Sequence, residues 1–237
     1  HAEFVPKVWY IKLIDELLVD CSDSQKDVLK QQFMDKGITI PQNLIIVGTV
    51  NMDETTFSFS RKVLDRAMTI EMNEVDLYGG LTSRHEQIGK LNFEDLVGDK
   101  VEGVDVYQEN QEVCNQAILY LQEINAVLEG TPFKIAYRTR NEFLLYVANN
   151  LPYRKNSQGL EMTQNEVVAR ALDEITSMKI LSRIEGDEEK VKAELLASLK
   201  EVVSKMLPEN MRDSSVSLAK LDEMEKKLSS GYTSFWS

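Results

Sequence analysis

Between residues 113 and 229 the apolar residues recur at steps of three and four, a period that leaves little besides amphipathic helices. The segments are 113–128, 139–148, 166–182, 188–206 and 218–229. In "EEKVKAELLASLKEVV" the stripe is Val191, Leu195, Leu199 and Val202, with charges on the opposite face. Such stripes have to be buried against one another, so this half of the chain is expected to form an all-α bundle.

The first 72 residues carry a different pattern. Val8, Ile11, Ile14, Leu17 and Leu18 predict a helix over 8–18. Its "IKLIDELL" mimics an apolar strand ending in a metal-holding acidic pair, but the helical period and the interior Lys12 set it apart from a strand buried on both faces. A polar helix or loop follows over 22–39. After Pro41, residues 44–50 form a β-branched run of the kind expected of a fully buried, parallel strand. That run delivers Asn51, Asp53 and Glu54 at its end, and "FSFSRKVLDRAMTIEM" then predicts a short helix and an edge strand over 67–72. Glycines and acids gather over 73–110, which reads as an irregular excursion. The expected fold class is therefore α/β followed by all-α, with residues 1–72 ending an α/β core and 73–237 holding the insertion and the helices.

Composition narrows the chemistry. The formal charge of -12 opposes a generic polyanion-binding face, so any nucleic-acid contact is local or made elsewhere. Cys21 and Cys114 are too few for a disulfide framework and lack metal-ligand spacing, which fits a reduced, cytoplasmic setting. No uncharged apolar run approaches membrane-spanning length, so no membrane partner is expected. With His1 and His85 alone, a histidine-dependent hydrolase is excluded as a leading reading. No G-x-x-x-x-G-K-[ST] occurs; Gly89-Lys90 has Arg84 where the first glycine should stand.

Several short matches in order carry a resemblance: Gly48-Thr49-Val50-Asn51, then Asp53-Glu54, then Leu64-Asp65-Arg66 before an apolar strand, a helical part, and the closing "GYTSFWS". This order resembles the downstream part of an AAA+ NTPase module of the McrB type, found in modification-dependent restriction systems. The Met-Asn-Thr-Ala-Asp-Arg signature of such modules is altered here to Val50-Asn51-Met52-Asp53-Glu54-Thr55, and Arg66 stands alone where others carry a run of arginines.

The resemblance implies the C-terminal half of an AAA+ αβα core plus a helical lid, with the P-loop and its acidic strand upstream of residue 1. Asn51 takes the sensor 1 role, its amide reaching both a γ-phosphate and the attacking water; capping of the next turn is the plain alternative. Arg66 is the candidate arginine finger, reaching into the neighbouring subunit's nucleotide site, with Arg61 next in line and an ion pair to Asp65 or Asp53 as the alternative. Asp53 and Glu54 orient that arginine or bridge to a neighbouring subunit, or else belong to turn chemistry with Thr55 and Thr56. Arg138, after Tyr137, matches the lid arginine called sensor 2. Arg140 is the second candidate, or pairs with Glu142 or Asp173.

The implied cofactor is GTP or ATP with Mg²⁺ in the full-length protein, with none held firmly by this portion and no metal ligands assigned within it. The implied partners are further copies in a hexamer-like ring, DNA through other domains, and a McrC-like nuclease. Hydrolysis would drive DNA translocation or activate the nuclease. The alternative is a non-catalytic AAA+-like assembly scaffold.

Overall fold

The computed structural model describes residues 7–37, 45–50, 59–72, 89, 102–156 and 158–236, with the side chains of residues 7–10, 36 and 61 left aside. The chain divides into two units, His1–Thr49 with Lys90–Val97 and Val50–Gly89 with Gly98–Ser237. In the first, α1 (Lys7–Leu17) and α2 (Asp23–Lys36) pack together, and Ile14 and Leu18 are buried. Lys30 Nζ donates to Asp15 Oδ1 at 2.6 Å.

The second unit is helical because its sequence offers stripes wide enough to close a core. After the single turn α3 (Arg61–Leu64) and the short α4 (Gly103–Tyr107) come α5 (Gln111–Val127), α6 (Tyr137–Asn150), α7 (Gln164–Lys179), α8 (Ala193–Met206) and α9 (Val216–Leu228). The five long helices touch in a cycle: α5 packs on α6 and α8, α6 on α7, α7 on α9, and α9 on α8. Their inward residues include Ala117, Ile124, Phe143, Leu172, Ile175, Leu196, Leu199, Val203, Leu221 and Met224. All five expected helices are present, with shifted ends. The fourth starts at Ala193 rather than at residue 188, because Lys190 and Val191 N–H groups donate to the Asp187 carbonyl in a turn.

A small antiparallel sheet closes one end. Strands β1 (Glu185–Asp187) and β2 (Tyr232–Ser234) pair Gly186 with Thr233. Gly186 has φ 152°, a region that disfavours a side chain, and an added Cβ would lie 2.7 Å from Lys190. The pairing fixes the tail, so Phe235 is buried at 1% exposure. Burial of this aromatic tail within the chain agrees with its apolar character.

Two expected strands are not formed. Residues 45–50 have no regular secondary structure, and Ile46 and Val47 are more than 80% exposed. A strand exists only as a member of a ladder, and no described strand lies beside this run to accept its backbone groups. Residues 67–72 are extended but unpaired with any strand. The Ala67 carbonyl is instead taken by a lysine side chain. The described residues are thus mostly helical, with one two-stranded sheet.

Polar groups specify the helix starts. Thr163 and Glu166 exchange bonds at the head of α7: Glu166 N–H donates to Thr163 Oγ1 at 3.3 Å, and Thr163 N–H donates to Glu166 Oε2 at 2.8 Å. The Thr163 amide, then Asn210 and the Thr163 hydroxyl, hold the Glu166 carboxyl below the ordinary glutamate value. The unfolded chain keeps its proton to higher pH, so this stabilisation is complete above about pH 4.3 and fades as pH falls through the lowered native value. Glu166→Gln is expected to flatten that part of the acid limb in a pH series of urea melts.

Asp173 joins α7 to α9. Its Oδ1 accepts from Ser215 Oγ at 2.6 Å and Ser217 N–H at 3.2 Å, and its Oδ2 accepts from Val216 N–H at 2.9 Å. Burial pushes this carboxyl up, against the pull of those three donors and the Ser217 side chain. Asp173→Ala would strand buried donors at the start of α9. The expected loss is about 2–4 kcal/mol, read from the urea midpoint at constant slope.

Candidate functional site

The stretch from Asp65 to Met72 has no helix or strand of its own, and its position is set by cations projecting from the bundle. Upstream, α3 makes a single turn anchored by Leu64, which is 3% exposed. The N–H groups of Arg66 and Ala67 both donate to the Val63 carbonyl at 2.9 Å, which turns the chain out of the helix. Lys179, the last residue of α7, is fully buried. Its Nζ donates to the carbonyls of Asp65 at 3.2 Å and Ala67 at 2.9 Å, one on each side of Arg66. It also lies 2.9 Å from Glu142 Oε2 of α6. That last contact is an ion pair rather than a well-angled hydrogen bond, since Glu142 Oε2 has no hydrogen-bond partner of good geometry.

Two arginines converge on the Asp65 carboxylate. Arg138 Nη1 lies 3.4 Å from Oδ2, and Arg183 Nη1 lies 3.6 Å from Oδ1. Farther along, Glu71 pairs with Lys220 of α9, whose Nζ also meets Glu223 Oε2 at 2.6 Å and donates to the Phe235 carbonyl at 3.2 Å. Phe59 packs against Trp236 with ring centroids 5.9 Å apart. Residues 59–72 are thereby strapped to the helices at both ends and in the middle.

Beside the strap is an open pocket of about 470 Å³ lined by Arg66, Glu102, Arg138, Asn141, Glu142 and Leu145. Gly103 brings its Glu102 wall close to α6: a Cβ at Gly103 would stand 2.9 Å from Asn141 Oδ1 and 3.1 Å from Leu144 Cδ1. Arg66 is exposed and makes no ion pair among the described residues. Arg138 sits in the first turn of α6, which contains no acid, so the helix end adds its positive field to the guanidinium. Glu142 faces the same space with its charge engaged by Lys179. Arg66, without an ion pair among the described residues, the loosely paired Arg138 and the amide of Asn141 offer donors to a compact anion such as a phosphoryl group, against the carboxylates of Glu102 and Glu142 in the same lining.

Of the residues singled out by sequence, Arg66 and Arg138 line this pocket together. Arg140 does not line it. Its Nε and Nη2 donate to Asn141 Oδ1 at 3.2 and 2.8 Å, and its guanidinium lies 5.0 Å from the Tyr137 ring centre. It pairs neither with Glu142, which meets Lys179, nor with Asp173, which caps α9. Asp65 pairs with Arg138 and Arg183, not with Arg66. Asn51, Asp53 and Glu54 lie outside the described residues.

Lys179 and Arg183 were not singled out by sequence, and Asp65, named there as an alternative partner of Arg66, meets Arg138 and Arg183 instead. One signal was present: Lys179 continues the stripe of Leu172, Ile175 and Thr176 at helical spacing, so a cation occupies a position the period assigns to the core. Among the described residues, no group of three His, Cys, Asp or Glu is arranged to hold a metal ion. No described helix is long and apolar enough to cross a membrane.

Arg183 has 11% of its side chain exposed, and its described ion-pair partner is Asp65, which is 41% exposed. Asp65→Asn would leave that guanidinium without a counter-charge. The expected cost is about 1–2 kcal/mol in a urea melt, discounted for the exposure of the carboxylate and smaller in high salt.

Against known proteins, the family described as "Domain of unknown function (DUF8727)" matches residues 92–232, which takes in α4 to α9 and the start of β2. No curated protein and no solved structure matches the chain.

Proposed function

We propose that this chain, which belongs to the DUF8727 family over residues 92–232, is the phosphate-sensing, C-terminal portion of a McrB-like AAA+ NTPase. The single observation that carries the reading is the convergence of Arg66 and Arg138 on one pocket, because the two are far apart in sequence and the resemblance assigns each of them a phosphate contact. Arg138, from the helical part, would contact the nucleotide phosphates. Arg66 would face charge developing on the transferred phosphoryl group, a role worth on the order of 10³ to 10⁵ in rate in related chemistry. The phosphate cradle and Mg²⁺ would be contributed by other sequence, since no G-x-x-x-x-G-K-[ST] occurs here.

On this reading the energy of GTP or ATP hydrolysis becomes motion of a helical lid in a ring of subunits, coupled to DNA translocation or to a partner nuclease. Neither arginine would read a base, so DNA specificity would reside elsewhere. A second reading, an AAA+-like assembly scaffold without catalysis, draws support from the exposed apolar run at residues 45–50, which offers an unpaired edge to another chain.

Binding of ATP, GTP and pyrophosphate by the chain, followed by calorimetry, separates the two. The phosphate reading expects pyrophosphate and both nucleotides to bind weakly, without turnover, because the cradle is absent from this portion, and expects Arg66→Ala and Arg138→Ala each to weaken that binding about tenfold or more, the worth of one charge-assisted contact. Binding that neither substitution weakens, or no binding at all, would put the scaffold reading ahead.

A further inference from the structure

The geometry points to Lys179 as a positioning residue for Arg66, working through a relay from Glu142 on the pocket wall, by way of the buried Lys179 ammonium, to the backbone on either side of Arg66. The inference deepens the phosphate reading of the pocket and rests on it.

Burial is the first reason. A lysine ammonium removed from water costs several kcal/mol unless it is paired and hydrogen-bonded, and an apolar residue of similar volume would fill the same space without that cost. Lys179 is fully buried at the end of a stripe that otherwise points into the core. Its position in the last turn of α7 helps to tolerate the charge, because the negative end of the helix lies there. The remaining compensation comes from the Asp65 and Ala67 carbonyls and from Glu142. All three belong to the wall of the pocket or to the residues flanking Arg66.

Placement is the second reason. Arg66 is exposed and makes no ion pair among the described residues, so no described partner at its guanidinium end holds it against the pocket. Its backbone turns out of α3 into a stretch without a ladder. The bond to the Asp65 carbonyl fixes the peptide plane before Arg66, the Ala67 N–H bond to the Val63 carbonyl fixes the plane after it, and the bond to the Ala67 carbonyl fixes the next plane along, which together set the direction in which the Arg66 side chain leaves the chain. Glu142 holds the same ammonium and also lines the pocket. A ligand anion displacing water beside Glu142 therefore acts on the group that orients Arg66.

The relay makes a prediction opposite in sign to plain electrostatics. Glu142→Gln removes a negative charge from the wall of an anion pocket, so by charge alone it should tighten pyrophosphate. If Glu142 holds Lys179, and Lys179 holds Arg66, the same change should loosen it.

The experiment pairs ¹⁵N relaxation at the Arg66, Ala67 and Met68 amides of the ligand-free chain with pyrophosphate titration of wild type, Glu142→Gln, Lys179→Arg and Lys179→Met. The expected wild-type order parameter is near 0.85, falling below about 0.6 in Lys179→Met and recovering in Lys179→Arg, which can still donate to both carbonyls. Pyrophosphate affinity is expected to fall about threefold in Glu142→Gln and about tenfold in Lys179→Met, with Lys179→Arg close to wild type. Tighter binding in Glu142→Gln, or unchanged order at Arg66 in Lys179→Met, overturns the relay. Should Lys179→Met fail to fold, Glu142→Gln and Lys179→Arg carry the same test. Absence of pyrophosphate binding by wild type would instead defeat the phosphate reading, while the order parameters still decide whether Lys179 positions Arg66.

Discussion

An ammonium group without access to water persists only where several acceptors surround it, and that requirement organises the region around Lys179. The carbonyls of Asp65 and Ala67 and the carboxylate of Glu142 come from two parts of the chain, which the Arg138–Asp65 pair also joins. Replacing such a cluster by apolar side chains is often neutral or favourable for stability. Its effect here is on placement: residues 59–72 have no helix longer than one turn and no ladder, so side chains from α6, α7, α9 and the tail decide where they run. Lys220 repeats the device at lower stringency, joining Glu71, Glu223 and the Phe235 carbonyl.

Arg138, on the wall of the pocket beside that strap, already has an anionic partner in Asp65. Asp65 stands within 3.6 Å of Arg183 and 3.4 Å of Arg138, but the two arginines differ in exposure, 11% against 50%. Arg183 is held by its surroundings, and Arg138 is half in water, where an ion pair contributes little. A phosphoryl oxygen arriving in the pocket would therefore compete with Asp65 for Arg138 and leave Arg183 as the structural partner. Arg66, with no ion-pair partner among the described residues, meets the ligand without that competition. The arrangement favours a ligand that can engage both guanidinium groups at once, as a terminal phosphate with several equatorial oxygens can.

The helical half was legible in the sequence because a helix closes its hydrogen bonds locally and shows its buried face at a period of 3.6. Phe143, Ile175, Leu199 and Leu221 are all where that period puts core residues. The errors lie where local pattern is insufficient. The expected start at Glu188 missed the turn made by the Asp187 carbonyl, and the β1–β2 pair joins residues nearly fifty apart in steps too short to show alternation. Among site residues, the typical phosphate-binding types Arg66 and Arg138 were visible, whereas Arg183 resembles any basic residue near a helix end until Asp65 is seen against it. Lys179 was the exception, since a cation on an apolar stripe marks itself by breaking the period.

The run at residues 45–50 shows a different limit. Ile45, Ile46, Val47 and Val50 are all exposed, although β-branched density of this kind ordinarily marks an interior strand. Composition reports what a segment would do once paired, and pairing is a property of two segments. A helix such as α8 carries both halves of its hydrogen-bond inventory within fourteen residues; a parallel strand carries one half and depends on a neighbour for the other. The helices of the second unit thus reach a complete structure from their own sequence, whereas the ladder that residues 45–50 would need has no second strand among the described residues.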